Sequence, residues 1–233
     1  MNNEPTLSGH ISRRFDHELE AVRNQVLTMG GLVEAQVNDG INCLVDGDSE
    51  LARQVVKNDY KINRLEVEID ERCVDILARR QPAAGDLRLV VAIIKTITDL
   101  ERIGDQAEKL GRNQLELVND GSSSAKFARL EHIGQEVSNL LHHALDAFAR
   151  MSVDDAIKTI EMDKRVNEEF DSLSRQLITH MMEDPRTIKS ALRVSWSARA
   201  LERIGDHAKN ICEYVIFLVQ GKDIRHIDDT DEG

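Results

Sequence analysis

Leu100-Glu101-Arg102-Ile103-Gly104-Asp105 recurs as Leu201-Glu202-Arg203-Ile204-Gly205-Asp206, 101 residues later. Six identical residues alone are a thin basis for duplication, but ordered matches upstream extend them. Asp59 and Asn63 pair with Asp163 and Asn167, Gly30 with Gly134, Val33 with Val137, Ala52 with Ala156, and Pro82 with Pro185. The offset drifts only from 104 to 101 along the chain, as expected when two copies differ by a few turn residues. A duplicated unit narrows the fold to two like halves packed in series.

Each half reads as three helices. In the first they run over 8–45, 49–80 and 84–118; in the second over 126–150, 153–182 and 186–220. Asp46-Gly47-Asp48-Ser49 stops one helix and caps the next. Ser152-x-x-Asp155 has the form of a capping box with Asp in the Glu position. Pro82 and Pro185 precede the third helices, where a missing N–H does no harm. Gly30-Gly31 marks a point where the first helix is expected to break or bend. Aromatic residues make up 3% of the chain and there are only 3 prolines, which suits long amphipathic helices rather than a sandwich or barrel. The predicted fold is all-α: two tandem three-helix bundles related by internal duplication. The repeats span 8–118 and 126–221, with a linker at 119–125 and an acidic tail at 222–233.

The formal net charge of −12 argues against a phosphate-backbone footprint, so no nucleic acid is expected. It argues equally against an anionic membrane surface, and favours cations or basic patches on other proteins. Even as long an apolar run as Tyr214–Val219 is far too short to insert into a bilayer. No apolar leader segment stands in the first twenty residues. Cys43, Cys73 and Cys212 form no C-x-x-C and read as small buried hydrophobes. Together these features point to the cytoplasm.

On the third helix, Leu87, Val90, Val91, Ile94 and Ile97 set an apolar arc, and Glu101 and Asp105 fall inside it at 100° per residue. In the second copy, Ile188, Ala191, Leu192 and Ala198 set the arc, and Glu202 and Asp206 fall in it. The preceding helices carry the same anomaly. Asp59, Asn63, Glu66 and Asp70 continue an apolar series from Ala52 and Val56, and Asp163 and Asn167 do so in the second copy. Acids one turn apart repel each other, and more so away from water. Three readings are open: a solvated face, a buried salt-bridge network using Arg102 and Arg203, or a cation site. The oxygen-only donor set suits hard cations, with Mg²⁺, Mn²⁺, Ca²⁺ and Fe³⁺ all chemically compatible. No His has a Glu three residues before it, so the Glu-x-x-His pairs of di-iron bundles are missing. His207 is read as facing the surface or a partner. Gly104 and Gly205, inside helices, are read as points of close approach by another helix backbone.

Two three-helix repeats, each with D-x-x-x-N on the second helix and L-E-R-I-G-D on the third, resemble the PhoU family. Arg80-Gln81-Pro82 with Asp86-Leu87-Arg88, and Gly205-Asp206-His207-Ala208-Lys209-Asn210-Ile211, carry the same resemblance. It covers 8–221. The resemblance implies a non-enzymatic negative regulator of the phosphate-starvation response and of phosphate uptake. Such proteins act as adaptors between the Pst importer, through its ATPase subunit, and the PhoR sensor histidine kinase, often as homodimers. It also implies metal at the E/D-x-x-x-D motifs, hence at Glu101, Asp105, Glu202 and Asp206. Asp59, Asn63, Asp163 and Asn167 are the facing ligands, with the ion drawn from Fe, Mn, Mg or Zn. Asn210 continues the second motif where the first has Lys109, so the first site is expected to be the smaller or emptier. Two other classes compete: a carboxylate-bridged metalloenzyme and a metal-free helical scaffold.

Overall fold

The computed structural model describes residues 13–122 and 128–221, and every regular element among them is helical. The first repeat contains α1 (Arg13–Asp46), α2 (Ser49–Asn58), α3 (Tyr60–Arg80) and α4 (Ala84–Asn119). The second contains α5 (Ala128–Arg150), α6 (Val153–Glu183) and α7 (Ile188–Gln220), with a 3₁₀ turn at Pro185–Thr187 before α7. The expected start of the first helix at Ser8, the end of the linker at 123–125, the expected start of the next helix at Lys126 and the acidic tail lie outside the described residues.

Local chemistry explains the boundaries. Asp48 caps α2, its carboxylate accepting the N–H groups of Glu50 at 2.8 Å and Leu51 at 3.0 Å. Gly47 makes the preceding turn at φ 72°. Ser152 caps α6 by accepting from the Asp155 N–H at 3.3 Å. Asp184 caps the 3₁₀ turn, and Pro185 opens it. In the first helix, Leu19, Val22, Val26, Met29, Val33 and Val37 recur at i, i+3, i+4 and are all buried.

Two expectations needed correction here. Gly30-Gly31 does not break α1, which runs through both. Gly30 instead admits Leu145 of α5: a β-carbon there would stand 2.7 Å from Leu145 Cδ2. The second helix of the first repeat is two helices in register, interrupted at Asp59. The backbone there stays right-handed, but the Ile62 N–H turns to the Asp59 carbonyl at 2.9 Å, an i+3 bond that tightens the turn.

The repeats are not beads on a string. One continuous apolar core runs through both. Helix α4 lies antiparallel to α7, the most extensive helix pair in the molecule, and α1 lies against α5. A ladder follows the α4–α7 seam: Lys189 to Asp120 at 2.6 Å, Arg193 to Glu116, and Asn113 Nδ2 donating to Ser197 Oγ at 3.2 Å. On the α1–α5 seam, His142 meets Glu34 at 2.8 Å and Ser138 donates to Asn38 at 2.6 Å. The repeat offset of 104 maps each of these two contacts onto the other, so the halves meet about a pseudo-twofold axis.

All three cysteines are free and buried, as the sequence implied. Burial pushes each thiol up to about 12, which disfavours the reactive thiolate.

Candidate metal centres

The first site lies where α4 crosses the α2–α3 junction. Asp59 is almost fully buried there, with Asn63 one turn on, and the glycine of the duplicated motif makes room for it. A β-carbon at Gly104 would stand 3.5 Å from Asp59 Oδ1 and 3.0 Å from Ile62 Cδ1. In the second repeat a β-carbon at Gly205 would stand 3.2 Å from Asp163 Oδ1. The glycines thus admit a carboxylate and an aliphatic side chain, not the helix backbone that their helical position implied.

Asp59 accepts two hydrogen bonds at 3.0 Å each, from Gln36 Nε2 on Oδ1 and from Asn63 Nδ2 on Oδ2. Gln36 also reaches the Gly104 carbonyl at 3.4 Å, tying α1, the α2–α3 junction and α4 together. Desolvation nonetheless raises the proton affinity of Asp59 above the carboxylate norm, and the charges of Glu108 and Asp105 add to it. Glu101 is raised by desolvation, then by Asp105, Glu66 and Asp59, with Arg102 opposing. Glu66 is raised by desolvation, Asp70 and Asp105. The carboxylates of α3 and α4 therefore share one electrostatic neighbourhood.

Glu101 and Asp105 do not sit in the core arc predicted for them. Both are half-buried on its flank. Leu87, Ile188 and Leu192, taken as arc members, are exposed. The true core line of α4 is Leu89, Val90, Ile93, Ile97, Leu100 and Ile103. The predicted arc was centred to one side of that line, and the carboxylates occupy its wet edge. Asp206 is exposed outright.

The salt-bridge reading fares poorly for the residues it named. Arg102 is exposed and approaches Asp99 at 3.9 Å, not Glu101, and Arg203 makes no ion pair among the described residues. In the second repeat other cations do the work. Arg199 donates to Glu202 and lies 5.8 Å over the Phe170 ring, and Lys209 Nζ stands 4.0 Å from Asp163 Oδ2. Asn167 Nδ2 donates to Asp163 Oδ2 at 3.2 Å. Desolvation raises Asp163, Lys209 opposes and Asp206 adds to it; for Glu202 the opposition comes from Arg199.

Asn210 and His207 belong elsewhere. Buried Asp99 collects His207 Nδ1 at 2.7 Å and Asn210 Nδ2 at 3.3 Å on Oδ1, and the Tyr214 hydroxyl at 2.7 Å on Oδ2. His207, partly exposed, is therefore turned to Asp99 within the chain, and Asn210 is engaged by the same carboxylate. The sequence reading missed Asp99 and Gln36. Each is a polar residue on an otherwise apolar helix face, which was the available signal.

Among the described residues no three Asp, Glu, His or Cys side chains come together closely enough to hold a metal ion. Two observations fit a hard cation all the same. The donors are all oxygens, and Asn63 Oδ1 is buried without a hydrogen-bond partner, as is Asp163 Oδ1. Among the described residues no helix is long and apolar enough to cross a membrane.

Comparison with known proteins follows this geometry. The PhoU domain matches residues 26–113 and again 130–215. The phosphate-specific transport system accessory protein PhoU homolog of Pseudomonas aeruginosa is 52% identical over 227 residues, which cover 97% of this chain and 94% of the relative. The phosphate-specific transport system accessory protein PhoU of Escherichia coli is 48% identical over 221 residues, covering 95% and 91%. Among solved structures, PhoU from Pseudomonas aeruginosa superposes with a TM-score of 0.87 at 52% identity, over 89% of this chain and 100% of that one. The phosphate transport system regulatory protein PhoU from Streptococcus pneumoniae superposes with a TM-score of 0.83 at 28% identity, over 90% and 99%.

Proposed function

The chain belongs to the PhoU family, and on that premise we propose that it is an accessory regulator of phosphate transport. In this reading it is a negative regulator of phosphate uptake and of the phosphate-starvation response. It works in the cytoplasm as a homodimer, an adaptor between the ATPase subunit of the phosphate importer and a PhoR-type sensor histidine kinase. The observation that carries the reading is similarity along nearly the whole of both chains to proteins named as accessory to the phosphate-specific transport system. Those relatives are named as accessory proteins and not as enzymes. The net charge of −12 supports docking on basic protein surfaces.

Metal enters the reading as a charge-neutralising element. Glu101, Asp105, Asp59 and Asn63 are the residues that would hold a cation in the first repeat, and Glu202, Asp206, Asp163 and Asn167 are their counterparts in the second. A cation held there would supply positive charge to offset the carboxylates of α3 and α4.

The test is a pull-down on the immobilised chain, against the purified importer ATPase and the cytoplasmic part of the sensor kinase. The proposal expects both to be retained at moderate salt, and Glu101→Ala with Glu202→Ala to weaken retention. Failure to retain either partner, with or without added Mn²⁺, contradicts it.

A further inference from the structure

Five large apolar side chains are exposed at one end of the second repeat. Ile188, Leu192 and Trp196 recur at i, i+4 and i+8 on the outer face of α7, and Ile178 and Met182 stand on α6 before the turn. The Phe170–Arg199 and Asp163–Gly205 contacts fix the register of this hairpin. They set Ile178 level with the turn of α7 between Ile188 and Leu192, so the two apolar rows lie side by side. Met182 is 79% exposed and Trp196 50%, apolar area that the core does not use. Trp196 is also held in its outward position. The Arg193 guanidinium lies 4.8 Å over its ring and is itself paired with Glu116 of α4. An aromatic fixed in place loses little freedom when a partner covers it.

Arginines surround this tryptophan. Arg199 and Arg203 continue the same stripe along α7, and Arg175 of α6 lies level with the turn between Leu192 and Trp196. Arg199 is taken by Glu202 and the Phe170 ring. Arg175 and Arg203 are exposed and make no ion pair among the described residues, in a chain with 42 Asp and Glu against 30 Lys and Arg. Asp171 and Asp206 are exposed on the same hairpin, so the surface is mixed rather than uniformly basic. A partner's carboxylates therefore have to fall opposite Arg175 and Arg203. The first repeat does not repeat this face. The offsets of 101 and 104 put Lys95 in the place of Trp196 and Glu71 in that of Arg175. Lys95 turns towards α7 instead, 5.5 Å over the Tyr214 ring and 5.4 Å over that of Phe217.

We propose that the outer face of the α6–α7 hairpin is a docking site for an acidic amphipathic helix of another protein. Its apolar side chains, a turn apart, cover Ile188, Leu192 and Trp196, and carboxylates beside them meet Arg175 and Arg203. Trp and Arg are the side chain types that carry most of the binding energy at such centres. Each chain then has one such site and not two. The inference deepens the adaptor reading above and rests on it for its purpose. The net acidic remainder of the chain suits basic partners, so one chain engages two partners of opposite charge.

Trp196 is the only tryptophan, so its emission reports on this face alone. The full chain is titrated with a helical peptide carrying Leu on one face and Glu on the other, and with its Lys-for-Glu counterpart. Each peptide is used unlabelled for Trp196 emission and fluorescein-labelled for anisotropy. The acidic peptide is expected to move Trp196 emission to shorter wavelength, and to bind about tenfold or more tighter than the basic one. Leu192→Asp is expected to weaken acidic-peptide binding by about tenfold or more. Arg175→Glu with Arg203→Glu is expected to reverse the preference between peptides, a gain that a misfolded variant cannot mimic. Equal binding of the two peptides, or binding that leaves Trp196 emission unmoved, overturns the proposal. Emission of the chain alone that moves to longer wavelength on dilution makes the occupant a second copy and overturns it too. No importer or kinase enters this measurement, so its failure leaves the pull-down reading standing, and failure of the pull-down removes the purpose of the site but not the peptide binding.

Discussion

Glu101 is a carboxylate kept partly from water, with Asp105, Glu66 and Asp59 as its neighbours. All of these effects disfavour its charged form, so its folded-state proton affinity lies above the ordinary value of 4.5. The folded chain then binds more protons than the unfolded one just above that value, and stability falls as pH rises through the interval. Metal-free protein carrying Glu101→Gln is therefore expected to melt higher than the parent at pH 7. The difference should shrink towards zero near pH 4.5, where the parent Glu101 is itself protonated. Melting curves across that range check it. Glu202→Gln should behave differently, since it also loses the charge that pairs with Arg199. It gains little at pH 7. At this scale the sequence was informative about identity and weak about environment. Acids at helical spacing were visible, but Gln36, Lys209 and Arg199 come from other turns and helices, and only the fold brings them to the carboxylates.

Helices meet here through glycines, and the glycines differ in what they face. A β-carbon at Gly111 of α4 would stand 2.9 Å from the Ala52 carbonyl oxygen of α2, a backbone atom that cannot step aside. At Gly31 of α1 nothing lies within 4 Å. Gly111→Ala is expected to destabilise by about 1–3 kcal/mol through overpacking. Gly31→Ala is expected to stabilise by up to about 1 kcal/mol through helix propensity alone. Chemical denaturation of the two variants decides both. Helix ends were legible because Asp48, Ser152 and Pro185 act within a turn of their own positions. The break at Asp59 was not, because what that residue meets there, Gly104 and Gln36, lies far away in sequence. The helix faces were misjudged by a fraction of a turn for a similar reason. Leu87, Ile188 and Leu192 are apolar but exposed, and an arc fitted to apolar residues alone cannot tell them from core.

In the whole molecule the repeats are locked by one shared core and by polar pairs along α4–α7 and α1–α5. Asp99 is the most demanding of these groups, a nearly fully buried carboxylate whose hydrogen bonds come from α7, with Arg102 of its own helix 3.9 Å away. Removing one donor from it leaves a buried oxygen short of a partner. Tyr214→Phe is expected to destabilise by about 1–3 kcal/mol, and calorimetry should show one transition for both repeats together. Duplication and family were both written in the sequence, through the paired motifs and their near-constant offset. The seam was not, because Asp99 has Ala200 as its counterpart and the duplication hides what is unique to one repeat. The central claim, regulation of phosphate transport, is tested most directly by complementation. The chain is expressed in Pseudomonas aeruginosa deleted for its own PhoU homolog and carrying a phosphate-repressed reporter. The account predicts that repression in high phosphate is restored. A reporter that stays fully on, with the chain present and folded, would contradict it.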